Sequence, residues 1–165
     1  MNSVKIVSIL CLFSSSIMAE DVPITGVVQG HCVIQTDTSG TYGNPNAYTL
    51  STAPADGGVL PIVRYDVTLA NAYKAQITYP TSFSQSPTPN DTVTFTGSVD
   101  ISSVGDAAMA DYQTDSVTFD QTRQYDLTAT GSTWFKVESQ AVNGGNKAFP
   151  SGTYRAVVQA ECIAQ

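Results

Sequence analysis

Basic residues are scarce in this chain: seven Lys and Arg stand against fourteen Asp and Glu, a formal net charge of −7. They form no cluster, which argues against nucleic acid and against an anionic membrane surface as partners. Histidine occurs once, at His31, so a Ser-His-Asp or Cys-His arrangement would have to be built around that residue. A Gly-x-Ser-x-Gly elbow, a His-Glu-x-x-His helix and a Gly-rich phosphate loop ahead of a helix are all missing. A lone histidine without such partners reads as a strand-end residue; the chain is expected to be no enzyme and to need no cofactor. No apolar run reaches the roughly 20 residues that a membrane-spanning helix requires. No segment sustains a helical period, which points away from a helical fold.

What is present begins with a leader. Lys5 supplies a short positive region, Ile6–Phe13 an apolar core interrupted by Ser8, and Ser14–Ala19 a small-residue cleavage region. Residues 1–19 are expected to be a signal peptide cut after Ala19. Cys11 leaves with it, lacking the small residues before it that lipid attachment needs. No membrane insertion is expected afterwards, and no wall-anchoring signal stands near the other end. Removing nineteen of the 165 residues leaves 146, the size of one domain with a single core. The expected organisation is 1–19 signal peptide, 20–30 N-terminal extension and 31–165 sandwich domain.

Two cysteines remain, Cys32 and Cys162, and they suit an oxidising compartment. A bond between them closes a loop of about 130 residues, for which the chain-entropy model gives about 5 kcal/mol. A surface ion pair is typically worth below about 1 kcal/mol. Metal ligation by His31, Cys32 and Cys162 is the competing possibility, with only three soft ligands and no Cys-x-x-Cys spacing.

The last segment, Ser151–Gln165, follows a Pro150-Ser-Gly152 turn signal. In an extended strand Tyr154, Ala156, Val158, Ala160, Cys162 and Ala164 share one face. Near the other end, Asp21–Thr36 is a long extended segment with Val22, Ile24, Val28, Cys32 and Ile34 on one parity. Gly26 and Gly30 lie on that parity, and Pro23 removes a ladder donor, which only an edge tolerates. First and last strands are expected to be stapled together. Between them comes loop-like sequence from Thr38 to Pro61, with a short strand at Tyr48–Leu50. Alternating runs follow at Val63–Leu69, Tyr73–Tyr79 and Val93–Ile101, the last with Gly97 as a bulge. Thr81–Asp91 reads as a polar turn region. Ser102–Asp115 carries no sustained period beyond one helical turn at 106–112. Val117–Phe119, Tyr125–Ala129 and Thr133–Val137 complete the series. Short alternating runs separated by turn residues predict an all-β, antiparallel β-sandwich.

Other chemistry is thinly signalled. Asp100, Asp106, Asp111, Asp115, Asp120 and Asp126 offer carboxylates for glycoside chemistry or for calcium, but no Asp-x-Asp-x-Asp-Gly loop is present. They read as solvated turn carboxylates. Asn90-Asp-Thr92 fits a glycosylation sequon, meaningful only in a eukaryotic host. Trp134 and Phe135 are candidates for stacking on a sugar, although a tryptophan in a small sandwich usually belongs to the core.

The two ends of the mature chain resemble one family. Ile24-Thr-Gly26-Val-Val28 followed by Cys32-Val-Ile34 is similar to the N-terminal signature of chaperone–usher fimbrial subunits. Gly152-Thr-Tyr154 and the alternating small and apolar residues after it look like the last strand of the same pilins. Gly131-Ser-Thr-Trp-Phe135 through Tyr154 is also similar to the tail of pilin-like secreted sandwich domains. The likeness covers about thirty-five residues at the ends and implies an immunoglobulin-like sandwich lacking its seventh strand. It implies that Val22, Ile24, Gly26 and Val28 are inserted as a donor strand into a neighbouring subunit. It implies that Tyr154, Ala156, Val158 and Ala160 line the acceptor edge. Implied partners are other copies or related pilin subunits, a periplasmic chaperone and an outer-membrane usher. The implied route is secretion through the inner membrane, transit of the periplasm, and a cell-surface fimbrium.

An incomplete sheet exposes two edges and an apolar groove, which a borrowed strand would cover. A head-to-tail contact that does not close gives a filament. In these pilins the first cysteine usually pairs with one about forty residues on, and a near-terminal aromatic is gripped by the chaperone; here the mature partner is Cys162 and the chain ends Ile163-Ala-Gln165. A strand held between two others separates them by about 9.5 Å, beyond the roughly 7 Å Cα limit for a disulfide. The bond therefore sits beyond the groove, or crosses between the sheets, or the sandwich is complete by itself. The expected function is a structural subunit of a fimbria-like fibre supporting adhesion. The alternatives are a self-contained secreted or periplasmic sandwich that binds a sugar or protein, and a hydrolase whose site has no sequence signature.

Overall fold

Thirteen residues, Gly131–Asn143, form the longest strand, β9, of the computed structural model, which describes residues 25–106 and 117–165. Thr133, Phe135, Val137, Ser139 and Ala141 are buried on one face of β9, while Trp134, Lys136, Glu138 and Gln140 alternate outward. Period-two alternation of this length makes it the spine of a half-buried sheet. On one flank β6 (Val93–Val104) pairs along its whole length. The other flank is shared: β4 (Ile62–Val67) takes Gly131–Lys136, and β3 (Thr49–Ser51) takes Gln140–Val142. Outside these lie β1 (Cys32–Thr38) on β4 and β2 (Gly43–Asn46) on β3, so the six-stranded sheet forks. The fork is tied to β9 by hydrogen bonds from Val137 N–H to the Pro61 carbonyl and from Thr52 N–H to that of Ser139, 3.0 and 2.9 Å.

The second sheet has four strands in the order β10 (Gln159–Ala164), β5 (Tyr73–Thr78), β8 (Thr122–Asp126) and β7 (Val117–Phe119). All pairings in both sheets are antiparallel. The architecture is the all-β sandwich that the alternating runs predict.

Tyr65, Ile77, Val99, Tyr125, Leu127, Phe135 and Val137 form the buried core. The Phe135 ring meets Tyr65 edge-on at 5.4 Å and Tyr125 at 4.8 Å. Both phenols are satisfied inside the protein, as buried tyrosines must be. Tyr125 donates to the Val99 carbonyl at 2.6 Å. Tyr65, on β4 of the first sheet, donates to the carbonyls of Gln76 and Glu161 in the second, at 3.0 and 3.2 Å. Burial holds the Tyr65 phenol far above its ordinary pKa, so it stays a donor.

Four expectations need correction. The bulge on β6 falls between Ile101 and Ser103 rather than at Gly97. Gly97 pairs in register with Ser139, and a Cβ there would collide with the Glu138 carbonyl and meet the Tyr79 ring at 2.9 Å; a close approach, not a bulge, explains the glycine. The N-terminal extended segment is a strand only from Cys32 onward among the described residues. The last strand is laddered only from Gln159, although Tyr154–Val158 keep the expected alternation of half-buried and exposed residues. Trp134 is outward, because β9 puts Phe135 on the core parity. The helical turn expected at 106–112 lies almost wholly outside the described residues.

Candidate functional site

β1 pairs only with β4, and β10 only with β5, among the described residues. The two sheets therefore end on the same side of the sandwich with free edges, and the cysteines join those edges. Cys32 on β1 is bonded to Cys162 on β10, with Cα atoms 6.3 Å apart. The bond consumes both thiols, so the three-ligand metal site at His31 does not form. It also meets the geometric expectation: at that rung no strand fits between β1 and β10, because two sheet spacings are about 9.5 Å.

Away from the bond, the edges part. A groove of about 600 Å³ opens between Thr36–Tyr42 on one side and Gly152–Val158 on the other. Leu50, Thr52, Val63 and Ser139 are among the residues lining it at the fork of the first sheet. Its lining is mixed: Val63 and Val158 lie toward the bonded end, while Tyr42, Thr52 and Ser139 make a hydroxyl-rich patch beyond them. The hydroxyls of Tyr42 and Ser139 are 2.9 Å apart, and Ser139 N–H donates to the Thr52 Oγ1 at 2.8 Å. Burial raises the Tyr42 phenol above its usual pKa, its bond to Ser139 working the other way.

The segment that follows Gly152 is held from outside. Arg155 N–H donates to the Gln85 carbonyl at 2.8 Å, and the Arg155 carbonyl accepts from Ser84 N–H at 2.7 Å. Tyr154 packs on Phe83 and Phe149, ring centroids 5.1 and 5.2 Å apart, and donates to the Pro150 carbonyl at 2.6 Å. Phe83 also meets Phe95 at 4.8 Å and Tyr42 at 6.2 Å. This half-buried aromatic cluster was not foreseen from the sequence. Its members lie far apart in the chain, and Phe83 sits in a stretch that reads as polar turn; the isolated ring there was the one available signal.

Of the expected acceptor residues, Tyr154, Ala156 and Val158 line the groove. Ala160 lies one step nearer the bond, in β10 and packed against the core. Of the expected donor residues, Val22 and Ile24 fall outside the described residues. Gly26 and Val28 are exposed in a stretch without secondary structure, and Val27 and Val28 keep 87 % and 78 % of their surface in water.

The remaining candidates are dispersed. His31 is exposed, its backbone exchanging hydrogen bonds with Thr68. Asp126 pairs with Lys74 at 3.3 Å, Asp100 accepts from Ser98, and Asp111 and Asp115 lie outside the described residues. No group of three or more His, Cys, Asp or Glu among the described residues is placed to hold a metal. Trp134 donates its indole N–H to Asp37 at 3.2 Å, and the Arg64 guanidinium lies 5.9 Å over its ring. Among the described residues no helix is long and apolar enough to cross a membrane, and the disulfide suits an oxidising, extracytoplasmic compartment. Comparison with family models, curated proteins and solved structures returns no match.

Proposed function

We propose that this chain is a structural subunit of a fimbria-like surface fibre, assembled when the N-terminal arm of one copy fills the groove of the next. The observation that carries it is a pairing of opposites. The far end of the free edge of β1 faces the unladdered segment Gly152–Val158 across a groove, while residues 25–29 of the same chain, apolar at Val27 and Val28, lie exposed. Unpaired edges are a hazard unless covered, and an added strand supplies both backbone hydrogen bonds and alternate side chains for pockets. With cleavage after Ala19, the arm is Glu20–Gly30, with Val22, Ile24, Gly26 and Val28 directed into the neighbour. A chaperone that covers the groove and an usher that passes subunits outward belong to the same proposal, as does the surface location.

Electrophoresis without boiling tests it. A fibre subunit runs as a ladder of multimers that collapses on heating; a lone monomer of about 15 kDa, estimated for a mature domain of this length, counts against the proposal. Deleting Asp21–Gln29 is expected to abolish the ladder while circular dichroism stays that of a β-sandwich.

One observation favours the second possibility, a self-contained binding sandwich: Trp134 lies on an outer sheet face beside Asp37 and Arg64 rather than in the core. If that face binds sugars, Trp134→Ala abolishes retention on a glycan array and leaves multimer formation untouched.

A further inference from the structure

We propose that the Cys32–Cys162 bridge and a pinned two-residue hinge, Gly30-His31, bar the arm from its own groove, so that the groove takes an arm from a second copy and not its own. The proposal rests on the strand-exchange function above and assigns to the disulfide a role in choosing between self-insertion and assembly.

Three features converge. First, the arm enters β1 at Cys32, and the groove begins farther along the same strand, at Thr36. The bridge therefore stands between the point where the arm leaves the domain and the groove that the arm would have to enter. Secondly, the bridge holds β1 and β10 with Cα atoms 6.3 Å apart, too close for a strand between them, since each neighbour needs about 4.8 Å. An arm folding back along β1 as a hairpin cannot pair at the rungs beside Cys32. It has to skip ahead by about four residues, or about 13 Å of strand, before the edges have parted.

Thirdly, the hinge has no slack to do so. The Gly30 carbonyl accepts a 2.7 Å hydrogen bond from the Tyr73 phenol. His31 N–H donates to the Thr68 hydroxyl at 2.9 Å, and Thr68 N–H donates to the His31 carbonyl at 3.1 Å. A Cβ at Gly30 would sit 3.1 Å from the Tyr73 ring and 3.2 Å from Leu69, so the backbone lies flat on the β4–β5 connection. The chain before Cys32 is thus fastened to the β4–β5 connection at Thr68 and to Tyr73 at the start of β5, with the way along β1 to the groove closed by the bridge. Residues 25–29, the described part of the arm, are exposed and pack on no strand of their own domain.

The same geometry ends the partner's inserted strand. Running in from the Tyr154 end, it stops short of the Cys32–Cys162 rung, which sets its register as well as its origin.

The test lengthens the hinge and leaves the domain intact. Eight Gly/Ser residues are inserted between Gln29 and Gly30 of the disulfide-bonded mature chain, preserving both pins and the bridge. Such a linker spans about 15 Å on average, enough to bring the arm round the bridge. Intramolecular insertion then proceeds at an effective concentration of about 1 mM, about 100-fold above a sample at about 10 µM. The expected result is loss of the unboiled ladder, with the arm of the monomer protected from protease. If wild-type and lengthened chains give the same ladder, the bridge and hinge do not decide the outcome and the inference falls, while strand exchange stands. If wild-type protein forms no ladder and does not take up a synthetic peptide of residues 20–30, strand exchange itself falls and the inference with it.

Discussion

The two ends of β9 sit in unlike surroundings. At the Gly131 end everything is closed: Cys32–Cys162 joins the sheet edges, Tyr65 reaches across to two carbonyls of the opposite sheet, and Phe135 packs between two tyrosines. At the Asn143 end the sheet forks, the rings of Phe83, Phe95, Phe149 and Tyr154 are half-buried, and residues 156–158 belong to no ladder. A domain that must accept a strand needs one rigid end to hold its shape and one end able to take a newcomer. On the proposed strand exchange, the constraints lie where the arm departs, and the groove lies where an arm would arrive.

The largest test of that contrast is removal of the staple. Replacing Cys32 and Cys162 with alanine is expected to cost about 5 kcal/mol from loop closure, a large share of the roughly 5–15 kcal/mol that a domain holds in total. Urea denaturation measures it, and hydrogen exchange localises it. Amides of Ala75 and Ile77 in β5 are expected to exchange slowly in the bonded form and, without the bond, to approach the rate of residues 156–158. A denaturation midpoint that hardly moves would erase the distinction between the ends.

Next come the two aromatic clusters. Phe135→Ala removes a fully buried ring and is expected to cost about 3–5 kcal/mol. Phe83→Ala removes a half-buried one and is expected to cost about 1–3 kcal/mol, the lost apolar burial being smaller. Equal costs by chemical denaturation would show that the open end is as firmly packed as the closed one.

The closed end could be read from the chain because its signals are strictly periodic. Val63, Tyr65 and Val67 alternate with Arg64 and Asp66, and Tyr73–Thr78 and Thr133–Val137 behave likewise, so inside and outside follow from parity alone. Elimination among three cysteines then placed the staple. The open end resisted for a physical reason: its order comes from contacts between residues far apart in sequence, as when Arg155 meets Gln85 or Phe83 meets Phe149. Parity placed Tyr154, Ala156 and Val158 on one face correctly, but pairing partners decide where a ladder begins, and alternation carries no information about partners. For Trp134 residue type alone leaves core and surface open, while its parity beside Phe135 puts it outside.

A finer comparison uses two phenols. Tyr65→Phe takes a donor from the Gln76 and Glu161 carbonyls inside the protein and is expected to cost about 1–3 kcal/mol. Tyr154→Phe frees the Pro150 carbonyl where water can replace the lost donor, and is expected to cost under about 1 kcal/mol. Thermal denaturation of the two variants side by side checks the order; a larger loss for Tyr154→Phe would place the drier environment at the groove.

The smallest effect concerns acid. Partial burial of Asp66 opposes its charge, yet hydrogen bonds from Ser132 and Arg64, at 2.5 and 2.7 Å, together with the Arg64 charge outweigh it and leave its pKa below 3.8. At the open end Asp91 is likewise lowered, by its hydrogen bond with Lys147, by the Thr92 N–H and by the Lys147 charge. A carboxyl whose folded pKa is depressed adds stability that is present above its unfolded pKa and is lost as pH falls through the folded one. Both groups therefore favour the folded state above about pH 4 and cease to do so as each protonates at lower pH. Asp66→Asn is expected to lower stability at pH 6 by under about 1 kcal/mol, a loss that shrinks as the pH falls and the wild-type carboxyl protonates in its turn. The Asp91–Lys147 pair, open to water, is expected to fade in 1 M salt, where the screening length is about 3 Å, whereas the Ser132 hydrogen bond to Asp66 is not. Carboxyl titrations by NMR at low and high salt separate the two: an Asp66 pKa that rises with salt as far as that of Asp91 would mean that the ordered face of β4 is no drier than the loops at the other end.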